Sequence, residues 1–140
     1  AAGDARLRVV AGNHDGCLGE LTDSTEAHRL ADGTVVCHGH EAPPTVADRY
    51  VVGHDHPAIV IEGRRRPCYL YGQGVYRDAD VLALPAFNPL ARGTAVNQLR
   101  GSDTDSPLLT KLRAFSPVVR DDDAGETFVF PPLSASGAYL

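Results

Sequence analysis

The sequence has no apolar run long enough to span a membrane and no signal-peptide pattern, so neither insertion nor export is indicated by these residues. It has only three cysteines, Cys17, Cys37 and Cys68, an odd number without any CxxC spacing. That argues against a disulfide framework and makes a reducing cytoplasm the expected setting. Lysine is nearly absent: Lys111 is the only one among 13 basic residues, and the rest are arginine. There is no methionine, and Ala1-Ala2-Gly3-Asp4 runs directly into a strand-like segment, so the expectation is a processed or N-terminally truncated chain.

Against the 13 basic residues stand 18 acidic ones, a net charge of −5. Such a surface repels a phosphate backbone over most of its area, which argues against non-specific duplex binding and against a nucleic-acid-binding β domain. A substrate presenting a single phosphate stays compatible, because bound metal ions reverse the local sign. The oligomeric state is not legible.

The 140 residues suffice for one ordinary domain with a real core, and 43% of them are hydrophobic. The 14 glycines and 10 prolines fall largely between short apolar runs, which predicts many short strands rather than a helical bundle. Expected strands are Leu7 to Ala11, Thr34 to Cys37, Tyr50 to Val52, Ala58 to Glu62, Pro67 to Tyr71, Val81 to Leu84, Phe115 to Val119 and Thr127 to Phe130. Residues 18 to 30 read as loop or irregular helix, and Thr45 to Arg49 as one helical turn after Pro43-Pro44. Gly63-Arg64-Arg65-Arg66 reads as a solvated hairpin tip, Asp121-Asp122-Asp123 with Gly125 as a second hairpin loop, and residues 88 to 107 as loop. No internal repeat or linker interrupts residues 1–140, which read as a single domain.

Three successive expected strands end in glycine-containing polar turns that carry histidine: Gly12-Asn13-His14-Asp15, His38-Gly39-His40 and Gly53-His54-Asp55-His56. Five of the six histidines lie there; the sixth, His28, reads as exposed. Ends of neighbouring strands are rigid supports from which ligands can converge, and the glycines let the chain bend sharply enough to aim them. Imidazole and oxygen donors suit divalent manganese, iron, zinc or similar ions. One such turn alone would be read as side chains satisfying local backbone groups; three in succession point to a shared site. Cys17, near the first turn, reads as a packing residue, and Cys37 as core.

These turns, in this order, resemble the last three signatures of calcineurin-like metallophosphoesterases. Val52-Gly53-His54-Asp55-His56-Pro57-Ala58-Ile59 and Leu84-Pro85-Ala86-Phe87-Asn88-Pro89-Leu90, with Gly93 and Asn97, resemble the archaeal SbcD-related branch, which is similar to a bacterial group associated with DNA ligase. The resemblance extends over about residues 7 to 100. It implies an α/β fold, a four-layer αββα sandwich of which this chain supplies the β-rich C-terminal part. It also implies hydrolysis of a phosphomonoester or phosphodiester at two divalent ions, manganese first, with iron, zinc, nickel or cobalt as alternatives. Asn13, His38 and His54 would hold one ion and His56 the other. His14 would sit at the scissile phosphate, Asp15 would orient His14, and His40 would lie on the substrate side. Leu84-Pro85-Ala86-Phe87-Asn88-Pro89 carries no titratable group and reads as a strand end and turn packing under the site.

The family pattern begins with Asp-x-His and Gly-Asp motifs that supply carboxylates to both ions. Asp-x-His does not occur in this sequence, and Gly3-Asp4, the one Gly-Asp pair, stands too close to Gly12 to serve. The second ion would keep a single histidine, so the chain alone is expected to be a poor catalyst. The alternative is a metal-binding module without turnover, acting in a DNA-repair or other protein assembly.

Overall fold

The computed structural model describes residues 7–16, 24–99 and 103–136. Cys17, Gly3 and Asp4 lie outside them. Helix among the described residues amounts to two single-turn 3₁₀ segments, Pro107–Leu109 and Leu112–Ala114; the rest of the regular structure is sheet. The strands are β1 (Val9–Val10), β2 (Ser24–Thr25), β3 (Ala27–Arg29), β4 (Val35–Cys37), β5 (Arg49–Val52), β6 (Pro57–Ile61), β7 (Arg64–Pro67), β8 (Tyr69–Tyr76), β9 (Ala79–Ala83), β10 (Thr94–Ala95), β11 (Ser116–Asp121) and β12 (Glu126–Val129).

Seven of them form one sheet in the order β12-β11-β8-β9-β5-β4-β3. Its centre is parallel: β4 pairs with β5 and β5 with β9, while β3, β8, β11 and β12 join antiparallel. Strands β10, β6 and β7 make a second, smaller sheet, and β1 pairs parallel with β2.

The period-2 alternation of the central strands decides which face is core. Val35, Cys37, Tyr50, Val52, Leu70, Val81 and Ala83 point to one side and are buried. Against them pack Ile59 from β6, Leu108, Leu109 and Leu112 from the 3₁₀ turns, and Phe115 and Leu133. On the other side Val36, Val51 and Leu82 lie opposite one another across three strands and stay half-buried, with Tyr71 exposed beside them.

Several expectations are corrected here. The first strand is two residues long and half-buried, and Leu7 is 80% exposed rather than core. Residues 24–29 are extended, so His28 lies half-buried in β3. Thr45 to Asp48 is not helical. The Tyr50 hydroxyl accepts from Ala47 N–H and donates to the Thr45 carbonyl, taking backbone groups a helix would need. The arginines are a strand rather than a tip: Glu62 and Gly63, at φ 50° and 74°, make the whole turn of the β6–β7 hairpin. A two-residue turn with both φ values positive matches strand twist and leaves Arg64 free to pair with Ile61. Within the expected 88–107 loop, β10 runs parallel to β6, and Asn97 extends the ladder through its amide, which accepts from Val60 N–H and donates to Val60 C=O.

The core predicts a steep contrast between the two sheet faces. Ile59→Ala should lower the unfolding free energy by about 2–5 kcal/mol in a urea titration, whereas Val36→Ala on the half-buried face should cost about 1 kcal/mol or less. Equal losses would mean that the assignment of inner and outer faces is wrong.

Candidate metal centre

Parallel pairing of β4 and β5 sets Cys37 opposite Val52, so both strands run out at the same sheet edge and their next residues start the histidine turns. Gly53 N–H donates to the His38 carbonyl at 3.0 Å, tying the two turns together at their first residue. The result is a close imidazole pair: His54 Nδ1 lies 3.0 Å from His38 Nε2. His40 completes a three-ring cluster, its centroid 5.3 Å from that of His38 and 6.0 Å from that of His54.

The Gly12 turn closes on the same spot. A Cβ at position 12 would fall 2.7 Å from His38 Cε1, so only glycine allows the chain to pass over that ring. Asp15 Oδ2 accepts from Gly12 N–H at 2.8 Å, and Asp15 N–H donates to the Gly12 carbonyl, which makes the turn self-contained. No hydrogen bond among the described residues joins Asp15 to His14. Asn13, His14 and Asp15 are exposed. His56 is half-buried and adopts φ 46°, in the left-handed region that costs a non-glycine residue free energy. That bend is held because His56 C=O accepts from Thr94 N–H at 2.9 Å.

Electrostatically, the site favours the neutral form of His38. Burial, followed by the charges of His54 and His40, pushes the His38 pKa below the ordinary value; Asp15 opposes and His56 adds a smaller push in the same direction. His40 Nδ1 is buried and has no partner among the described residues. A cleft of about 510 Å³ opens beside His38 and His40, walled by Ala11, Gly12, Glu26 and Pro43 among others.

Two imidazole nitrogens 3.0 Å apart can share one proton, or both can direct lone pairs at a cation. Metal–nitrogen bonds of about 2.1 Å meeting near a right angle place their nitrogens about 3 Å apart, so the pair fits neighbouring positions on one divalent ion. Among the described residues no three His, Cys, Asp or Glu side chains are grouped closely enough to hold an ion by themselves. The donor set is thus a two-imidazole half-site, with the orphaned His40 nitrogen set back from it.

Sequence reasoning assigned no role to Asp55. Its Oδ1 accepts from Asp105 N–H at 3.0 Å, bolting the His54–His56 turn to the backbone just before the first 3₁₀ segment. Its Oδ2 is buried without a partner among the described residues, and burial pushes the carboxyl pKa above the usual range. The only available signal was its position between two histidines.

The fold matches that of a nuclease. The crystal structure of Pseudomonas putida nuclease MPE superposes with a TM-score of 0.54 at 20% sequence identity, over 88% of this chain and 53% of the nuclease chain. The chain therefore spans about half the length of that structure. No protein-family model matches the sequence, and no curated protein matches it. No helix among the described residues is long and apolar enough to cross a membrane.

The depressed pKa of His38 sets a pH dependence. A histidine held below its unfolded value must take up a proton at a cost, so stability should fall as the pH drops below about 6.5 through the lowered value and be unaffected above it. In metal-free protein, nitrogen-detected NMR titration should find His38 titrating below the ordinary histidine value. Gly12→Ala, which pushes the His38 ring outward, should move the midpoint back towards the ordinary value. An unmoved midpoint would mean that the turn does not confine the ring.

Proposed function

We propose that the chain forms the histidine-bearing part of a metal-dependent phosphoesterase, which cleaves a phosphomonoester or a phosphodiester of a nucleotide or nucleic acid. The observation that carries this reading is the 3.0 Å approach of His54 Nδ1 to His38 Nε2, beneath the Gly12 turn and beside His40. The fold shared with a nuclease supports it. Strand-end histidines of this kind suit a dinuclear centre, and manganese fits the nitrogen and oxygen donors.

In this reading His38 and His54, with the Asn13 amide, hold one ion, and His56 contributes to the second. When bound, the ions neutralise phosphate oxygens and lower the pKa of water at the site. The chain's own residues position and exclude. His14, exposed on the Gly12 turn, reaches the phosphate and can give a proton to the leaving oxygen. Asp15 shapes the turn that presents His14 through its bond to Gly12 N–H. His40 faces the cleft as a substrate contact. Asp55 keeps the His54–His56 turn seated on the Asp105 backbone.

The four-layer calcineurin-like sandwich is the proposed complete fold, of which these two sheets are the β-rich part. Cys37 and Cys68 are free, and burial pushes their thiols up to about 11 and about 12, so both stay protonated and unreactive, in keeping with a reducing cytoplasm. The two-imidazole half-site favours one rival, a metal-binding module without turnover.

Manganese-dependent hydrolysis of bis(p-nitrophenyl) phosphate separates the two, measured on this chain and on the longest natural polypeptide that contains it. The expected result is slow turnover by the chain, faster turnover by the longer form, and a loss of about 100-fold or more in His38→Ala or His54→Ala. Manganese binding without turnover in either form would establish the module instead, and turnover indifferent to both substitutions would place the chemistry elsewhere.

A further inference from the structure

Phe87 was expected to pack under the site, and it does not. Phe87 is fully exposed and Leu90 is 87% exposed. Their turn is built rather than loose: Asn88 Oδ1 accepts from Leu90 N–H at 2.9 Å and Asn88 C=O accepts from Ala91 N–H at 3.0 Å. The segment also starts and ends against the histidine turns. Leu84 N–H donates to the Val52 carbonyl, just before Gly53-His54, and Thr94 N–H donates to His56 C=O.

The arginine strand reaches the same loop. Arg65 extends across β6, and its Nη1 donates to the Gly93 carbonyl at 2.5 Å. Arg92, exposed, is the residue before Gly93, so the loop that Arg65 contacts carries a second guanidinium. Among the described residues no carboxylate pairs with Arg64, Arg65 or Arg92, while Arg66 lies 4.0 Å from Asp121. Charge is segregated accordingly. Residues 57–67 and 85–99 hold four arginines against one glutamate, and the remainder of the chain holds nine basic residues against seventeen acidic ones. The net charge of −5 thus conceals two segments of positive balance that adjoin the histidine turns.

We propose that the Phe87 loop, with Arg65 of β7 and Arg92 beside it, binds single-stranded nucleic acid, an unpaired base stacking on Phe87 and the phosphates running past Arg65 and Arg92 towards the histidine turns. An exposed aromatic ring recognises the face of a base, which a duplex keeps stacked inside, while guanidinium groups track the backbone. As the substrate surface of the same site, this assignment rests on the phosphoesterase reading, but binding is measurable without turnover.

Fluorescence anisotropy of the full chain in EDTA, with a labelled oligothymidylate, tests it. Wild-type protein should bind with an affinity that falls as salt rises. Phe87→Ala should weaken binding about fivefold or more and Phe87→Trp should retain it. The double variant Arg65→Gln, Arg92→Gln should lower the salt slope by about one. An abasic strand of equal length should bind more weakly and be indifferent to Phe87→Ala. Equal affinity of Phe87→Ala and wild type, duplex binding as tight as single-strand binding, or equal competition by polyglutamate would each overturn the proposal. Strand binding without any hydrolysis in the longer form would sink the phosphoesterase reading and leave this one standing, and the reverse result would do the opposite.

Discussion

The contact between the His38 and His54 rings is the constraint around which the rest is arranged. Two imidazoles at 3.0 Å are held by backbone pairing rather than by their own attraction. Parallel pairing of β4 and β5 brings both strands to an end at one edge, and the Gly53–His38 hydrogen bond prevents the turns from separating. Burial and the neighbouring rings disfavour charge on His38, so its neutral nitrogen lone pair is available there. That is the state in which imidazole can ligate a metal.

Conformational strain and unsatisfied polarity gather around this contact. His56 is bent into the left-handed region, His40 keeps a buried nitrogen without a partner among the described residues, and Asp55 keeps a buried oxygen in the same condition. Each costs free energy that the core must offset, and the core is well placed to do so. Ile59, Leu70, Leu108, Leu109 and Phe115 are fully buried behind the turns. Costly features maintained at one sheet edge by a rigid interior are what a pre-organised ligand site requires.

The strand pattern was legible because short apolar runs between glycines and prolines carry local information. Val35–Cys37, Arg49–Val52 and Glu126–Val129 lie close to where alternation and turn residues put them. The legible part of the site was likewise local, since histidines beside glycines at strand ends stand out without any knowledge of pairing. What failed were judgements about environment. Arg64 to Arg66 read as a tip because charge marks exposure, yet an edge strand is equally exposed and accepts charge as readily. The Leu84–Pro89 segment read as packing because it carries no titratable group, whereas the Phe87 ring is exposed to solvent.

From its residues alone the chain had determined which groups could meet: imidazoles and an amide at the ends of successive strands, on a β-rich frame. Periodicity and turn chemistry act over a few residues and are written directly in the order of side chains. Only the tertiary structure decided which of them do meet. It brought His38, His40 and His54 into one cluster, set Asp55 against Asp105, and laid Arg65 against the Gly93 carbonyl in a chain of net negative charge. Those outcomes depend on strand order and register between segments up to 50 residues apart, as in the Asp55–Asp105 bond. Register is settled by burying the whole sheet face at once, so no single segment of sequence encodes it.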